Sequence, residues 1–401
     1  MSRDQASVCV STPPGVSSST PLRTLRVLTL TPFYPNSENL AEGCFVAEAL
    51  PPLEQFGITN HVLAVRPFYR GRVRAVDSEI PCRWEHYFSF PGNLGLPSAG
   101  RFLAADMVTG VQRAHRENPF DLIHAHAALP CGDAAARLSE ALEIPFVVSV
   151  HGLDVFSERQ AGTLLGNWCR RASARVYRRA RAVICISEKV RERISDTSVN
   201  AKVIYNGVDA STFAPAEEHK SPLVVLSVGN LIPTKGHAVL LRAFARMLPS
   251  VPDCDLEIIG EGPERQTLAR LSEQLGISAR VRFLGKQNRE DVARAMQRCA
   301  VFALASEYEG LGCVYLEAMA SGKPAIACEG QGIDEIIVHG NNGWLVPPRG
   351  EAQLSDALRM LLQNQDFRSR LGNAARSTVL QRHTLNHQAE QLAQLHRECA
   401  R

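Results

Sequence analysis

A chain of 401 residues is too long to close around one hydrophobic core and fits two domains of ordinary size. Its 45% hydrophobic and 21% charged residues are those of a soluble globular enzyme, and a net charge of only +3 gives no global case for nucleic acid. Eleven cysteines, odd in number and never spaced as Cys-x-x-Cys, read as reduced thiols, which points to the cytoplasm and away from zinc.

Residues 1–23 are Ser/Thr/Pro-rich, without periodicity or the apolar core of a signal peptide, and are expected to form a flexible tail. Nowhere do eighteen apolar residues run together, so no membrane-spanning helix is expected. A strand is predicted at 25–30, followed by a loop, TPFYPNSENLAEG (31–43), that ends in Gly43, and then by a helix over 44–53. Strand runs recur at 60–65, 121–127, 145–152, 181–187 and 202–209, separated by helical patterns at 98–115, 132–142 and 160–180. The segment 66–97 is aromatic and irregular and carries no predicted element.

After Asp209 the polar, proline-bearing stretch 211–222 has the composition of a linker. A second alternating series then runs through helices at 236–247, 264–275, 289–298, 351–363 and 366–380, with strands between most of them. A long amphipathic helix closes the chain from Leu385. The predicted class is α/β, with two Rossmann-like domains, 24–210 and 211–384, facing a central cleft. The helix at 385–401 is expected to cross back to the first domain, and the linker and this helix to act as the hinge.

The densest motif is SEYEGLGCVYLEAMASG (306–322), a glycine turn and a helix start, set between a strand run at 300–305 and a return strand at 324–327. Gly310 and Gly312 let a ligand approach the backbone, and the amides of Leu311, Gly312 and Cys313 open a helix whose dipole favours an anion. Glu309 and Glu317 flank that turn. Carboxylates beside a phosphate cradle make sense as acceptors for sugar hydroxyls, so the motif fits a sugar joined to a phosphate. Lys235, in VGNLIPTKGH (228–237), stands at another helix start and suits a diphosphate, although a solvated surface lysine is the plainer alternative. IIGEGPE (258–264) supplies a third turn, with Gly262. His151 follows an apolar run and is placed to point into the cleft, against the alternative of a satisfied buried histidine. His124 and His126 share one sheet face, where packing or hydrogen bonding outweighs metal binding. Asp253 and Asp255 resemble a metal motif but precede their strand, away from the cleft, and read as turn chemistry. Arg170, Arg171, Arg175, Arg178 and Arg179 share a helix with Trp168, either as a solvated face or as a peripheral contact with anionic lipid.

Taken in order, TPFYPNSENLAEG, HGLD (151–154), ISE (186–188), NGVD (206–209), VGNLIPTKG, IIGEGPE and EGLGCVYLEAMASGKP make the chain resemble a family 4 glycosyltransferase of the two-domain GT-B type over nearly all of 25–348. The resemblance implies a retaining, metal-independent transfer of a hexose from a nucleoside-diphosphate sugar to a sugar or lipid-linked acceptor, as in cell-surface polysaccharide or glycolipid synthesis, with no cofactor beyond the donor. It implies that Glu309 holds donor-sugar hydroxyls, Glu317 the ribose, and Lys235 with the amides of residues 311–313 the diphosphate. His151 would sit at the reacting centre, and Gly43 would let the first loop approach. Asn230 stands where the family usually places an arginine, which puts the second diphosphate cation in doubt. Two competing readings remain: a glycoside hydrolase using Glu309 and Glu317 as acid and base, and a non-catalytic sugar-nucleotide sensor.

Overall fold

In the computed structural model, which describes residues 23–400 apart from 77–78, 153–161, 195, 197 and 217–222, the apolar runs become two wholly parallel sheets. The first sheet takes β1 (Leu25–Thr31), β2 (Ile58–Pro67), β3 (Cys82–Tyr87), β4 (Leu122–His126), β5 (Phe146–Val150), β6 (Ala182–Cys185) and β7 (Ala201–Val203), in spatial order β3-β2-β1-β4-β5-β6-β7. The second takes β8 (Val224–Val228), β9 (Asp255–Ile259), β10 (Val281–Gly285), β11 (Val301–Ala303), β12 (Ala325–Cys328) and β13 (Trp344–Val346), in order β10-β9-β8-β11-β12-β13. Central strands such as β4 and β5 are buried at every position, which is why they read as continuous apolar runs rather than alternating ones.

Helices cover both faces. In the first domain they are α1 (Cys44–Ala47), α2 (Leu96–Glu117), α3 (Asp133–Leu142), α4 (Gly162–Arg179) and α5 (Glu188–Arg191). The second has α6 (His237–Met247), α7 (Arg265–Gln274), α8 (Arg289–Arg298), α9 (Cys313–Ala320), α10 (Glu351–Gln363) and α11 (Gln365–Arg382), and α12 (Leu385–Cys399) ends the chain. Among the described residues no helix is long and apolar enough to cross a membrane. The tail through residue 22 and the linker residues 217–222 lie outside the described residues.

Several elements differ from the sequence expectation: the run at 202–209 is a strand only over Ala201–Val203, and the short α5 has no counterpart among the predicted helices. The helix predicted over 44–53 stops at Ala47, because Pro51 and Pro52 cannot donate helical hydrogen bonds and instead begin a 3-10 turn, Pro51–Phe56. Within the irregular segment, β3 forms on the sheet edge beside β2. Its residues are half-buried on both faces, so no alternation marks it in the sequence.

The chain crosses between domains twice, and the crossings run side by side. Val208 pairs with Thr384, Val208 N–H donates to His383 O, and Leu385 N–H donates to Val208 O. A Cβ on Gly207 would stand 2.4 Å from Thr384 O, so only glycine permits this approach. Beyond the crossing α12 does return to the first domain. Ala389, Leu392, Ala393, Leu395 and Cys399 join a core cluster with Leu25, Val27, Leu53, Ile58 and Leu122.

Candidate active site

Each sheet reverses its strand order at its first strand, between β1 and β4 and between β8 and β11, and the loops leaving those strands face each other. Between them lies a cleft of about 730 Å³ lined from both domains. The domains touch across it: Ser187 Oγ donates to Gly310 O at 2.6 Å, and Tyr308 OH donates to Gly152 O at 2.8 Å. Glu335 accepts the amides of Glu188 and Lys189, each at 2.8 Å, and the Tyr205 hydroxyl at 2.9 Å.

On the second-domain wall, the loop after β8 ends in the turn Pro233–Lys235, closed by Gly236 at φ 68°. A Cβ on Gly236 would meet Ala305 O at 1.9 Å, so this glycine lets the turn lie against the end of β11. Lys235 is thereby brought to Glu309, with Nζ 2.5 Å from Oε1; Ser306 Oγ donates to the same oxygen at 3.0 Å. The Glu309 amide donates to Gln331 Oε1 at 2.9 Å, which fixes the backbone of the turn. Gly312, at φ 83°, then starts α9. The first-turn amides of a helix have no intrahelical acceptor, and here residues 310–314 line the cleft. Leu311 buries its side chain, so it offers the site only its backbone.

Glu317, on the same helix, is almost wholly buried. Its Oε1 lies 2.5 Å from Arg289 Nη1, while Oε2 is sealed from solvent without a hydrogen-bond partner among the described residues. An ionised carboxylate left with an unsatisfied buried oxygen is costly unless a ligand supplies the donor. Glu307, by contrast, turns outward to a two-pronged pair with Arg349 at 2.7 and 2.8 Å.

Asn230 is exposed on the cleft wall and brings no charge. The other cations lining the cleft are Lys286, whose Nζ donates to Glu38 O across the domain gap at 3.3 Å, and Arg289. Gly262 is not among the cleft-lining residues, where Gly260 and Glu261 stand instead. A Cβ on Gly262 would meet Leu231 O at 2.4 Å, so its role is to pack one turn on another.

From the first domain come Gly43 and His151. Gly43 adopts φ 66° as its loop folds over Phe33, whose carbonyl carbon a Cβ would meet at 2.2 Å. His151 stands at the carboxyl end of β5, between Phe45 and His126, with ring centroids 4.8 and 5.2 Å away. Its Nε2 is hydrogen-bonded to His126 Nδ1 at 2.9 Å, and Nδ1 is buried without a partner among the described residues. Behind it, His124 Nε2 meets Ser149 Oγ at 2.8 Å and His124 Nδ1 meets His396 Nε2 of α12 at 3.1 Å. Burial pushes these imidazoles down, His151 to about 3 and His124 to about 4, with His126 and His396 also well below the usual range. All four are therefore neutral near pH 7, and His124 and His126 are engaged in ring stacking and hydrogen bonds.

Asp253 and Asp255 pair with Arg280 and Arg282 at the amino end of β9, away from the cleft. On α4, Arg178 pairs with Asp196 and Arg179 with Glu140, whereas Arg171 and Arg175 have no acidic partner among the described residues. Leu164 and Trp168 are exposed on that same helical stripe. Residues 153 and 154 of the HGLD motif lie outside the described residues. Sequence reasoning missed Arg289, Gln331 and His396. Arg289 looks like an ordinary helix-start residue, and nothing local marks the other two.

Comparison with known proteins matches residues 46–212 to a model described as Glycosyltransferase Family 4 and residues 209–378 to one described as Glycosyl transferases group 1, meeting at the first interdomain crossing. The putative teichuronic acid biosynthesis glycosyltransferase TuaC of Bacillus subtilis is 25% identical over 88% of this chain and 94% of its own length. The N-acetyl-alpha-D-glucosaminyl L-malate synthase of Bacillus anthracis is 28% identical over 66% of this chain and 71% of its own. Among solved structures, sucrose-phosphate synthase from Thermosynechococcus elongatus superposes with a TM-score of 0.74 at 19% identity, covering 93% of this chain and 98% of that one. Anabaena HepE, solved with UDP-glucose, superposes at 0.71 with 22% identity, covering 93% of this chain and all of that one. These two likenesses show the shared GT-B fold.

Proposed function

Because the chain belongs to the group 1, family 4 glycosyltransferases, we propose that it moves a hexose, with retention, from a nucleoside-diphosphate sugar to a sugar or lipid-linked acceptor. The observation that carries the donor assignment is the unpartnered Glu317 Oε2, buried in a cleft that also presents Lys235, Glu309 and the first-turn amides of α9. Ribose hydroxyls are the donors that oxygen lacks. Departure of the diphosphate builds negative charge on its oxygens, and Lys235 with the amides of residues 311–313 meets that charge as it forms, with no metal required. Glu309 accepts from the donor sugar, and His151, neutral and hydrogen-bonded to His126, lies beside the reacting centre. Gly43 lets the first-domain loop close over the donor, and closure keeps water from competing with the acceptor. HepE, solved in complex with UDP-glucose, supports a nucleotide-sugar donor. TuaC, named for teichuronic acid biosynthesis, supports an acceptor in polysaccharide synthesis.

The hydrolase alternative fares worse, because each carboxylate is held by a cation, Glu309 by Lys235 and Glu317 by Arg289, an arrangement made for accepting hydroxyls rather than donating a proton. The test is a thermal-shift screen of UDP, GDP, ADP and their sugar conjugates, followed by an assay for nucleoside diphosphate released on adding acceptor. A ligand that binds the folded chain raises Tm by mass action. Hydrolysis of a glycoside without any nucleotide requirement would overturn the proposal, and so would tight donor binding with no transfer across an acceptor panel. Arg171 and Arg175, without an acidic partner among the described residues and in one stripe with Leu164 and Trp168, support peripheral contact with an anionic bilayer. Co-sedimentation with phosphatidylglycerol vesicles, abolished by Arg171→Glu/Arg175→Glu and absent with phosphatidylcholine, is the expected result. Equal binding to both lipids would refute it.

A further inference from the structure

Arg289 opens α8 on the cleft wall with its side chain about four-fifths buried, and it touches three separate parts of the molecule. Its Nη1 lies 2.5 Å from Glu317 Oε1 in the second domain. It makes a forked ion pair with Glu48, which caps α1 in the first domain: Nη2 donates to Oε2 at 2.7 Å, and Nε lies 2.7 Å from Oε1 without hydrogen-bond geometry. Its guanidinium carbon sits 4.7 Å from the ring centre of Phe213, a wholly buried residue of the interdomain connection. A guanidinium is planar and rigid, so the fork that engages Glu48 also fixes the direction of the third nitrogen. The two carboxylates are treated differently. Glu48 brings both oxygens within ion-pair distance of Arg289, whereas Glu317 brings one and leaves Oε2 buried without a partner among the described residues.

We infer that Arg289 is a positioning residue for the transfer reaction: it aims Glu317 Oε2 at the vicinal diol of the nucleotide ribose, and through Glu48 it makes that aim depend on the two domains being closed. Resting on the donor assignment proposed above, this adds a coupling that the assignment does not require. The geometry has a direct consequence for affinity. When the domains part, Glu48 leaves with the first domain, the fork is lost, and Arg289 is free to swing and cover both oxygens of Glu317. The diol then competes with the arginine for its acceptor. In the closed form Glu48 occupies the other side of the guanidinium and keeps one Glu317 oxygen available. Ribose binding and closure thereby favour each other, as linkage demands. The charge count agrees. Glu48, Arg289 and Glu317 together carry one net negative charge, whereas loss of the arginine would leave two buried carboxylates beside an anionic donor.

The test uses the full chain in isothermal titration with UDP, GDP and ADP and with their 2′,3′-dideoxy counterparts, continuing with whichever ribonucleotide binds tightest. Glu48→Gln is expected to weaken the ribonucleotide about five- to fiftyfold and to leave the dideoxynucleotide unchanged. In an Arg289→Lys background, where a point charge cannot form the fork, adding Glu48→Gln is expected to cost nothing further. Glu48→Gln alone decides the matter if the arginine variant fails to fold. Equal loss for both kinds of nucleotide, no loss for either, or additive losses in the double variant would overturn the inference while leaving the donor assignment standing. Failure of the wild type to bind any of the three ribonucleotides would remove the donor assignment itself and the inference with it.

Discussion

Replacing Lys235 by alanine removes the one cation whose amine lies against Glu309, at 2.5 Å, on the wall assigned to the diphosphate. A hydrogen bond to a charged group contributes about 1.5–3 kcal/mol. At about 1.4 kcal/mol per tenfold, kcat/KM is expected to fall about 10- to 150-fold. Two features push the loss toward the upper end. Asn230 supplies no second charge, and Glu309, its partner gone, faces the departing diphosphate as a bare carboxylate. Folding should suffer too. The lysine and Glu309 side chains are only 21% and 10% exposed, but Glu309 keeps Ser306 as a donor, so the lost pair costs about 1–3 kcal/mol. That corresponds to a Tm change of about 2–12 °C. The assay is release of nucleoside diphosphate under subsaturating donor, with Tm and circular dichroism as folding controls. Lys235→Arg is expected to recover part of the activity because it restores the charge. A folded Lys235→Ala enzyme with wild-type kcat/KM would refute the role assigned to this residue.

Acid should destabilise the fold through its neutral histidines. His124 and His151 have folded pKa values of about 4 and about 3, depressed by burial from an unfolded value near 6.5. The unfolded chain therefore binds more protons below that pH. Stability is full above it and falls as pH drops, by about 1.4 kcal/mol per pH unit for each histidine, until the folded values are reached. Urea midpoints from pH 7 down to 4.5 would show this decline, and a flat profile would contradict it. Gly310→Ala places a Cβ 2.8 Å from His151 O across the domain gap. Both domains should fold normally and fail to close, seen as a larger radius of gyration in X-ray scattering together with a raised donor KM. Unchanged kinetics would show that the gap tolerates the methyl.

How much of this was legible in the sequence depended on range. The α9 motif was readable because strand, turn and helix, Val301 to Ala320, lie within 20 consecutive residues and each carries its own local signal. Gly310, Gly312, Glu309 and Glu317 are placed by that short stretch alone. The α1 boundary was misread because apolar periodicity outweighed two prolines. β3 escaped because an edge strand half-exposed on both faces shows no period. Arg289 gave no signal, since its partner Glu48 is 241 residues away and only the folded domains bring them together. His396 likewise looks like one polar position on an amphipathic helix, until α12 is laid against β4 and its ring meets His124.

The placement of α12 bears on how the polypeptide is made. Leu392, Leu395 and Cys399 complete an apolar cluster whose other members begin at Leu25, so the first half to leave the ribosome is the last to be sealed. During synthesis the nascent first domain waits, with that apolar surface uncovered, while the whole second domain is translated and folds ahead of it. A premature stop before residue 385 would thus spare the domain it adjoins and cripple the one translated before it.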